Sequence, residues 1–265
     1  MPRTLQQQAY LDAMGIQLWI RRQPGEAGPT TDVAASEAAD SSAAPPTGME
    51  PIPAGADAPG PAPAPTGGVA GLDWQALEES VQACKGCALH QSRTRTVFGV
   101  GDRDADWMVV GVAPCAEEDR QGEPFVGRAG QLLNAMLQAV GLRRESVYIA
   151  NILKCRPPNN RDPRPEEVAC CEPYLQRQVE LVTPRLILAV GRVAAQNLLK
   201  TDAPLGRLRG RVHHYGTAGT PVVVTYHPAY LLRSPAEKRK AWQDLLMARQ
   251  LLARRETGDD VATTS

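Results

Sequence analysis

Residues 107–112 read Trp-Met-Val-Val-Gly-Val, a short and almost wholly apolar run of the kind that forms a buried strand. Further runs rich in Val, Ile or Leu follow at Val147–Leu153, Arg185–Val190 and Pro221–Tyr226. Helix-like stretches lie between and after them, at Gln131–Val140, Pro165–Val182, Gly191–Leu199 and Ala236–Ala253. Strands that alternate with helices predict an α/β fold, in which helices cover both faces of a parallel sheet.

The carboxyl ends of the predicted strands are where an α/β fold is expected to carry its site. Asn151 comes at the end of the second strand, and His227 directly follows the fourth. An amide can both donate and accept hydrogen bonds, and a neutral imidazole can donate one. Each residue also has a structural alternative, because Asn can cap a strand end and His can hydrogen-bond locally beside Pro228.

Composition divides the 265-residue chain into parts. Residues 25–72 contain six acidic residues, no Lys or Arg, and long runs of Pro, Ala, Gly and Ser. Such a sequence buries too little apolar surface to offset its ordering entropy, so residues 24–72 are predicted to be a disordered linker. The linker would join an N-terminal segment, residues 1–23, to a globular domain at residues 73–256, and residues 257–265 would form a disordered tail.

The formal net charge of zero is unevenly distributed. Residues 73–256 hold 26 Lys and Arg against 20 Asp and Glu, a balance of +6. A basic domain on an acidic tether suits a polyanionic partner, although ordinary variation in surface charge can give the same balance. Because the sequence shows neither a signal peptide nor a bilayer-spanning run, we expect a cytoplasmic protein that has no membrane partner. We also expect a monomer.

Several cysteines have the spacing of a metal site. Cys84-Lys-Gly-Cys87 is a CxxC pair, Cys155 lies in a Lys-Cys-Arg-Pro-Pro segment, and Cys170 and Cys171 follow it. In a reducing compartment, cysteines are more often ligands or redox groups than disulfides. Four thiolates can hold tetrahedral zinc or an iron–sulfur cluster, and the spacing does not choose between them. Buried cysteines without a ligand are the remaining alternative.

Together these motifs resemble the family 4 uracil-DNA glycosylases, the iron–sulfur branch of that superfamily. The resemblance covers about residues 82–249 and adds four segments to the CxxC pair: Gly111-Val-Ala-Pro-Cys-Ala-Glu-Glu-Asp119, Gly122-Glu-Pro-Phe-Val-Gly-Arg-Ala-Gly-Gln-Leu-Leu133, Asn151-Ile-Leu-Lys-Cys-Arg-Pro-Pro158 and His227-Pro-Ala-Tyr-Leu-Leu-Arg233. It implies a three-layer α/β/α fold around a four-stranded parallel sheet, and excision of uracil from DNA to start base excision repair. It also implies a [4Fe-4S] cluster, rather than zinc, held by Cys84, Cys87, Cys155 and Cys171.

The implied reaction needs a base that leaves the duplex stack and enters a pocket. Phe125 resembles the family's aromatic residue that stacks on the base, although a lone Phe can also be core packing, and Ala113 in the first motif would line the same pocket. Asn151 would pair with uracil O4 and N3–H, a pattern that cytosine does not match. His227 would donate to uracil O2 and stabilise the negative charge that develops there.

The resemblance also implies DNA contacts outside the pocket. Leu231-Leu232-Arg233 resembles the wedge that fills the gap left by the flipped base, and apolar and Arg side chains suit that role. Four basic residues flank the predicted cluster loop and are expected to contact phosphates: Lys154, Arg156, Arg161 and Arg164. A solvated basic face is the alternative for this last group.

The first motif departs at two positions from the family pattern, Gly-Glu-Ala-Pro-Gly. Val112 stands where the family has the acidic residue associated with water placement, and valine can neither accept a proton nor orient water. Cys115 replaces a glycine, where a Cβ would cost strain if φ were positive. Glu118 matches a downstream acid of the family and is the next candidate for placing water. The alternative function is therefore a catalytically weakened or inactive glycosylase-fold protein that binds DNA and is tethered to the replisome.

The N-terminal segment is apolar and ends in a basic pair, since residues 11–22 read Leu-Asp-Ala-Met-Gly-Ile-Gln-Leu-Trp-Ile-Arg-Arg. It resembles the N-terminal peptide of the psi subunit of the bacterial clamp loader over about a dozen residues. That resemblance implies that residues 1–23 dock on a clamp-loader or other replication protein. The alternative is a helix that packs back on the glycosylase domain.

Overall fold

The computed structural model describes residues 68–256. The predicted docking peptide, the predicted tail and all but the last residues of the predicted linker lie outside this range, so these assignments stay predictions. The first described helix is Trp74–Ala83 (α1). It begins where it does because the Asp73 carboxylate accepts a hydrogen bond from the Ala76 N–H at 2.9 Å, which caps the helix.

A six-stranded sheet forms the centre of the described domain. Its strands are Val100–Gly101 (β1), Trp107–Gly111 (β2), Tyr148–Asn151 (β3), Leu186–Val190 (β4), Val212–Tyr215 (β5) and Thr220–Thr225 (β6), in the order β1-β3-β2-β4-β6-β5. The inner strands are parallel, with Val109 opposite both Ile149 and Leu188, and Leu188 opposite Val223. These inner strands are the four predicted apolar runs, so the parallel core of the sheet is confirmed.

The predicted number of strands is wrong, because the described sheet has one further strand at each edge. β1 pairs with β3, and β5 pairs with β6, both antiparallel. β1 is two residues long, and β5 reads Val-His-His-Tyr with exposed residues alternating with partly buried ones. An edge strand with one wet face needs no continuous apolar run, so hydrophobicity alone did not reveal either strand.

Helices cover both faces of the sheet and make three layers. After α1 they are Ala116–Gln121 (α2), Arg128–Ala139 (α3), Pro165–Val182 (α4), Arg192–Leu199 (α5), Leu205–Leu208 (α6), Pro228–Arg233 (α7) and Lys238–Glu256 (α8). Met108 and Val110 of β2 belong to a core cluster with α1, α4 and α5, whereas Trp107 and Val109 belong to a second cluster with α3, α7 and α8. The predicted three-layer α/β/α fold is confirmed.

The register of the parallel strands places the candidate residues at one edge of the sheet. Gly111 at the end of β2 pairs with Asn151 at the end of β3, and Val190 at the end of β4 pairs with Thr225 at the end of β6. His227 follows β6 by two residues and therefore lies at the same edge. None of the helices in residues 68–256 has the length and apolar character that a membrane span requires.

Candidate active site and cysteine pocket

Phe125, Asn151 and His227 converge at this carboxyl edge, close to Gly111. A Cβ atom at Gly111 would overlap the Asn151 Oδ1 atom and lie 2.8 Å from two ring atoms of Phe125, so only glycine fits there. The rings of Phe125 and His227 are stacked, with centroids 5.7 Å apart and 29° between their planes. The structure thus brings together three predicted site residues that are far apart in sequence.

Asn151 presents an unused hydrogen-bond donor inside this site. The residue is 2 % exposed, and its Nδ2 atom has no hydrogen-bond partner among the described residues. An unpaired buried donor costs about 1–3 kcal/mol, so native structures seldom keep one without a reason. At the carboxyl end of an inner strand, such a donor indicates a group that binds a ligand rather than a strand cap.

The Phe125 backbone is held in a conformation that non-glycine residues rarely adopt, with φ at 54°. The Glu118 carboxylate accepts the Phe125 N–H at 2.6 Å and the Cys115 N–H at 2.8 Å. From the other side, the Arg144 guanidinium donates to the carbonyl oxygens of Pro124 at 2.6 Å and Phe125 at 3.3 Å. Backbone strain that is locked by surrounding contacts is typical of functional sites, and here it fixes the direction of the Phe125 ring.

His227 is a neutral hydrogen-bond donor at physiological pH. Burial, with a smaller contribution from the charge of Arg233, lowers the pKa of His227 from 6.5 to about 4. Its Nδ1 atom accepts the Ala229 N–H at 3.1 Å and caps α7. Because Nδ1 is an acceptor, the single proton of the neutral ring is on Nε2. The Nε2–H group is therefore the one that a ligand can use.

Neither of the two candidate positions for placing water offers an unoccupied carboxylate. Val112 is partly buried, and its carbonyl oxygen accepts the Leu153 N–H at 3.0 Å. Both oxygens of Glu118 accept backbone N–H groups, and burial raises the pKa of this carboxyl despite those bonds. The structure therefore shows Glu118 as a residue that fixes the loop of Phe125, and its role in placing water stays a prediction.

The other residues of the first motif adopt their backbone conformations without strain. Ala113 is partly buried and packs against the core cluster of α1, α4 and α5. Cys115 has φ at −90° and precedes α2 as its N-cap, so the strain expected for a side chain in a left-handed turn does not arise. Asp119 is buried and accepts the Thr94 N–H at 2.9 Å, which links α2 to the segment that follows the CxxC pair.

The predicted wedge segment splits into buried and exposed side chains on α7. Leu231 is 1 % exposed and belongs to the core cluster of α3, α7 and α8, so its predicted contact with DNA is at odds with the structure. Tyr230 and Leu232 are exposed by 38 % and 37 %, and Arg233 is exposed beside them. Adjacent residues of a helix point in different directions, and the sequence alone did not show which side of α7 faces the core.

Lys154 is not a phosphate contact, which corrects the prediction from sequence. It is 1 % exposed, and its Nζ atom donates to the Asn151 carbonyl oxygen at 2.8 Å and to Gln178 Oε1 at 2.6 Å. Burial lowers the pKa of Lys154 to about 8, although Cys171 and Cys155 nearby oppose that effect.

Two of the predicted arginine contacts with DNA differ in their surroundings. Arg161 forms a bidentate ion pair with the buried carboxylate of Glu167, with N···O distances of 2.9 and 2.5 Å. Its guanidinium is thus engaged in anchoring the start of α4. Arg156 is partly exposed and donates through Nε to Asn160 at 2.8 Å, so it remains placed for a phosphate contact.

The predicted metal ligands line one pocket between α1, the loop after β3 and α4: Cys84, Cys87, Cys155 and Cys171. Cys170 lines the same pocket, but its thiol donates to the Gly86 carbonyl oxygen at 3.1 Å. Within the described residues, no three His, Cys, Asp or Glu side chains are close enough to surround one metal ion. From the residues alone, a thiolate-bound zinc ion and an iron–sulfur cluster therefore both stay predictions.

Polar contacts in this pocket fit sulfur atoms that carry negative charge. Cys155 Sγ receives an Arg93 guanidinium N–H at 3.1 Å, and Cys171 Sγ receives the Lys154 backbone N–H at 3.2 Å. Burial raises the pKa of Cys171 to about 12 and that of Cys87 to about 11, so both are neutral thiols in the absence of a bound metal. Metal binding releases such protons, and hydrogen bonds to sulfur tune iron–sulfur clusters. Four cysteines with donors to sulfur therefore have the chemistry of a thiolate-bound metal centre.

The fold and the sequence motifs of this site are shared with one superfamily of proteins. A family model described as the uracil DNA glycosylase superfamily matches residues 98–246. A type-4 uracil-DNA glycosylase of Archaeoglobus fulgidus is 44 % identical over 186 residues, which are 68 % of this chain and 94 % of that protein. A type-4 uracil-DNA glycosylase of Thermotoga maritima is 41 % identical over 179 residues, which are 66 % of this chain and 93 % of that protein.

A relative of another type, type 5, is less similar to this chain than the type-4 relatives are. A type-5 uracil-DNA glycosylase of Pyrobaculum aerophilum is 36 % identical over 149 residues, which are 49 % of this chain and 64 % of that protein. The type-4 relatives match at higher identity and over nearly their whole length. The chain therefore belongs to the uracil-DNA glycosylase superfamily and, within it, to the type-4 family.

Three residues that the sequence did not identify, or assigned to another role, contact the Phe125 loop, Asn151 or the cysteine pocket. Arg144 lies outside every motif, so no pattern indicated its contacts with the Phe125 loop. Arg93 follows the CxxC pair by six positions, and only its contact with Cys155 reveals its role. Lys154 sits inside a motif, but a lysine beside prolines and arginines favours a surface interpretation that its burial overturns.

Proposed function

We propose that this protein is a uracil-DNA glycosylase that flips uracil out of DNA and hydrolyses its N-glycosidic bond to begin base excision repair. The observation that carries the proposal is the buried, unpaired Nδ2 donor of Asn151, which lies beside the Phe125 ring that stacks with His227. A pyrimidine that stacks on Phe125 would gain about 1–3 kcal/mol from the aromatic contact. The names of the type-4 relatives support the same activity.

Asn151 would select uracil through its side-chain amide. Nδ2 donates to uracil O4, and Oδ1 accepts the uracil N3–H group. Cytosine carries a donor at the C4 position and an acceptor at N3, so both contacts would face a like group. A site built for one hydrogen-bond pattern rejects an analogue that lacks it by a factor of about 10⁴–10⁵, since its buried polar groups are left unpaired.

His227 would stabilise the leaving base. As the glycosidic bond breaks, its electron pair passes to the uracil ring and charge develops on O2. The neutral Nε2–H donor of His227 meets that charge, and a preset donor of this kind is worth about 10²–10³ in rate. Water then adds at the sugar carbon. Because Val112 and Glu118 offer no unoccupied carboxylate oxygen to that water, we expect hydrolysis to depend mainly on stabilisation of the departing uracil.

We also propose that the pocket of four cysteines holds a [4Fe-4S] cluster, with Cys84, Cys87, Cys155 and Cys171 as ligands. When bound, the cluster supplies a four-point covalent link between α1, the loop after β3 and α4, and hydrolysis of a glycosidic bond requires no electron from it. On the DNA side, Tyr230, Leu232 and Arg233 would fill the gap that the flipped base leaves, and Arg156 would contact a phosphate.

A second candidate function is favoured by one observation, the loss of the acidic residue at Val112 while Glu118 is occupied by backbone donors. In that case the protein binds uracil-containing DNA without efficient hydrolysis. For either function we propose that residues 1–23, outside the described residues, dock on a clamp-loader or other replication protein. A flexible tether of 48 residues spans roughly 40 Å at about 5–6 Å × √n, which would keep the domain near newly made DNA.

The test uses purified protein and an oligonucleotide that contains one uracil, with the same oligonucleotide carrying thymine as the control. We expect alkali-labile abasic sites at uracil alone, and a large loss of these sites in Asn151→Asp, which removes the amide donor. Tight binding of uracil-containing DNA without abasic sites would favour the second function. Equal excision by the parent and Asn151→Asp would contradict the proposed site.

A further inference from the structure

Lys154 is a buried cation whose direct partners are uncharged. Its Nζ atom donates to the Asn151 carbonyl oxygen at 2.8 Å and to the Gln178 side-chain oxygen at 2.6 Å. Gln178 in turn donates to the Phe98 carbonyl oxygen at 2.9 Å and to Tyr148 Oη at 3.0 Å, so its orientation is fixed. A buried charge is expensive unless an opposite charge lies nearby, so these oxygens alone do not account for an ammonium group at 1 % exposure.

The proposed cluster would supply the opposite charge on the other side of the same residue. The backbone N–H of Lys154 donates to Cys171 Sγ at 3.2 Å, and Cys155 is the next residue in the chain. Four thiolates on a [4Fe-4S]²⁺ core carry a net charge of about −2. Lys154 therefore touches the cysteine pocket through its backbone and the last residue of β3 through its ammonium group.

The short segment between Asn151 and Cys155 is hydrogen-bonded to the first motif and to itself. Its residues Ile152 and Leu153 donate backbone hydrogen bonds to the carbonyl oxygens of Gly111 and Val112, both at 3.0 Å. The segment thus lies against the first motif throughout its length. The ammonium group closes it into a loop, because it returns from position 154 to the carbonyl oxygen of position 151.

We propose that Lys154 is a positioning residue that couples the cysteine pocket to uracil recognition. The negative charge of the thiolate site retains the ammonium group in the interior, and the ammonium group fixes the end of β3 and with it the Asn151 amide. The inference rests on the proposed function, because it takes Asn151 as the uracil-binding residue and the four cysteines as cluster ligands. It adds a reason why a redox-type cluster belongs in an enzyme that transfers no electrons.

The test compares Lys154→Met, which keeps the length of the side chain but removes its charge, with Lys240→Met, which removes an exposed lysine on α8 that does not line the cysteine pocket. Three quantities are measured on each purified protein: iron and sulfide content, the midpoint potential of the cluster, and the single-turnover rate of uracil excision. For Lys154→Met we expect a more negative potential, since a buried positive charge beside the cluster is lost. We also expect a fall in excision of about 10–10²-fold, the usual effect of losing a residue that orients a site. Lys240→Met should match the parent in both, because solvent screens its charge.

A residue that only stabilised the fold would lower the melting temperature without moving the potential. Gln178→Leu provides a second variant if Lys154→Met does not assemble a cluster: it removes one acceptor of the ammonium group and should lower excision in the same direction. The proposal would be overturned if Lys154→Met had both the potential and the excision rate of the parent. The same outcome in Gln178→Leu, where that variant is used instead, would also overturn it. If the parent itself excises no uracil, the proposed function fails, and the shift in potential still decides whether Lys154 is electrostatically coupled to the cluster.

Discussion

Replacement of His227 separates its chemical role from its structural one. The side chain uses Nδ1 to cap α7 and leaves Nε2–H for the departing uracil. His227→Ala loses both, whereas His227→Asn retains an N-cap residue of the preferred kind and loses the Nε2–H group, since its own amide donor sits on a shorter side chain. His214→Ala is the matched control, because that histidine lies exposed on β5.

The magnitudes follow from these contacts. Loss of a preset donor should slow single-turnover excision about 10²–10³-fold, or about 2.7–4 kcal/mol, in both His227 variants. Loss of the cap should cost about 1 kcal/mol of unfolding free energy in His227→Ala and little in His227→Asn. The assay is uracil release from a labelled oligonucleotide at saturating enzyme, with urea unfolding of each variant measured in parallel.

The low pKa of His227 also predicts how the excision rate depends on pH. Because the pKa of His227 is about 4 in the folded protein, the imidazole stays neutral as the pH falls from 8 to 5.5, and the excision rate should show no inflection near 6.5. An imidazole with the ordinary pKa would instead be about nine-tenths protonated at pH 5.5. A rate that changes through pH 6.5, or excision by His227→Asn at the parent rate, would show that His227 does not act as a neutral donor to uracil.

Three further predictions concern the first motif, the cysteines and the wedge. Val112→Glu should raise the excision rate while affinity for uracil-containing DNA stays the same, and an unchanged or lower rate would mean that water is placed from elsewhere. Anaerobically purified protein should be brown and contain iron and sulfide; Cys171→Ser should bleach it and Cys170→Ser should not, whereas colourless parent protein with stoichiometric zinc would exclude the cluster. Leu232→Ala should slow excision from duplex DNA and leave the melting temperature unchanged, whereas Leu231→Ala should cost about 2–5 kcal/mol of stability, because that residue is buried; equal stability of the two variants would contradict the assignment.

The inner sheet was predictable because its strands are buried on both faces. The run Trp107–Val112 became β2 at Trp107–Gly111, and Pro165–Val182 became α4 with the same bounds. Short elements were not predictable in this way. The edge strand β5 contains two histidines, and α7 is a single short helix whose apolar positions could face either the core or DNA.

The site divides in the same manner. Asn151 and His227 follow apolar strands, so the rule for the carboxyl edge of an α/β sheet found them, and the structure joins them to Phe125. Lys154 could not be placed from sequence, because a lysine is buried only when tertiary contacts compensate its charge. For the same reason, the engagement of Glu118 by two backbone N–H groups was hidden until the loop of Phe125 was seen.

The central claim is that Phe125, Asn151 and His227 form one uracil-binding site. A crystal structure of the protein soaked with free uracil tests it most directly. We expect a uracil ring stacked on Phe125, with O4 and N3–H at hydrogen-bond distance from the Asn151 amide and O2 at hydrogen-bond distance from His227 Nε2. The assignment of the site would be contradicted if uracil bound elsewhere and left this site unchanged. One such place is the groove at the opposite end of the sheet, lined by Val179, Tyr215 and Pro221.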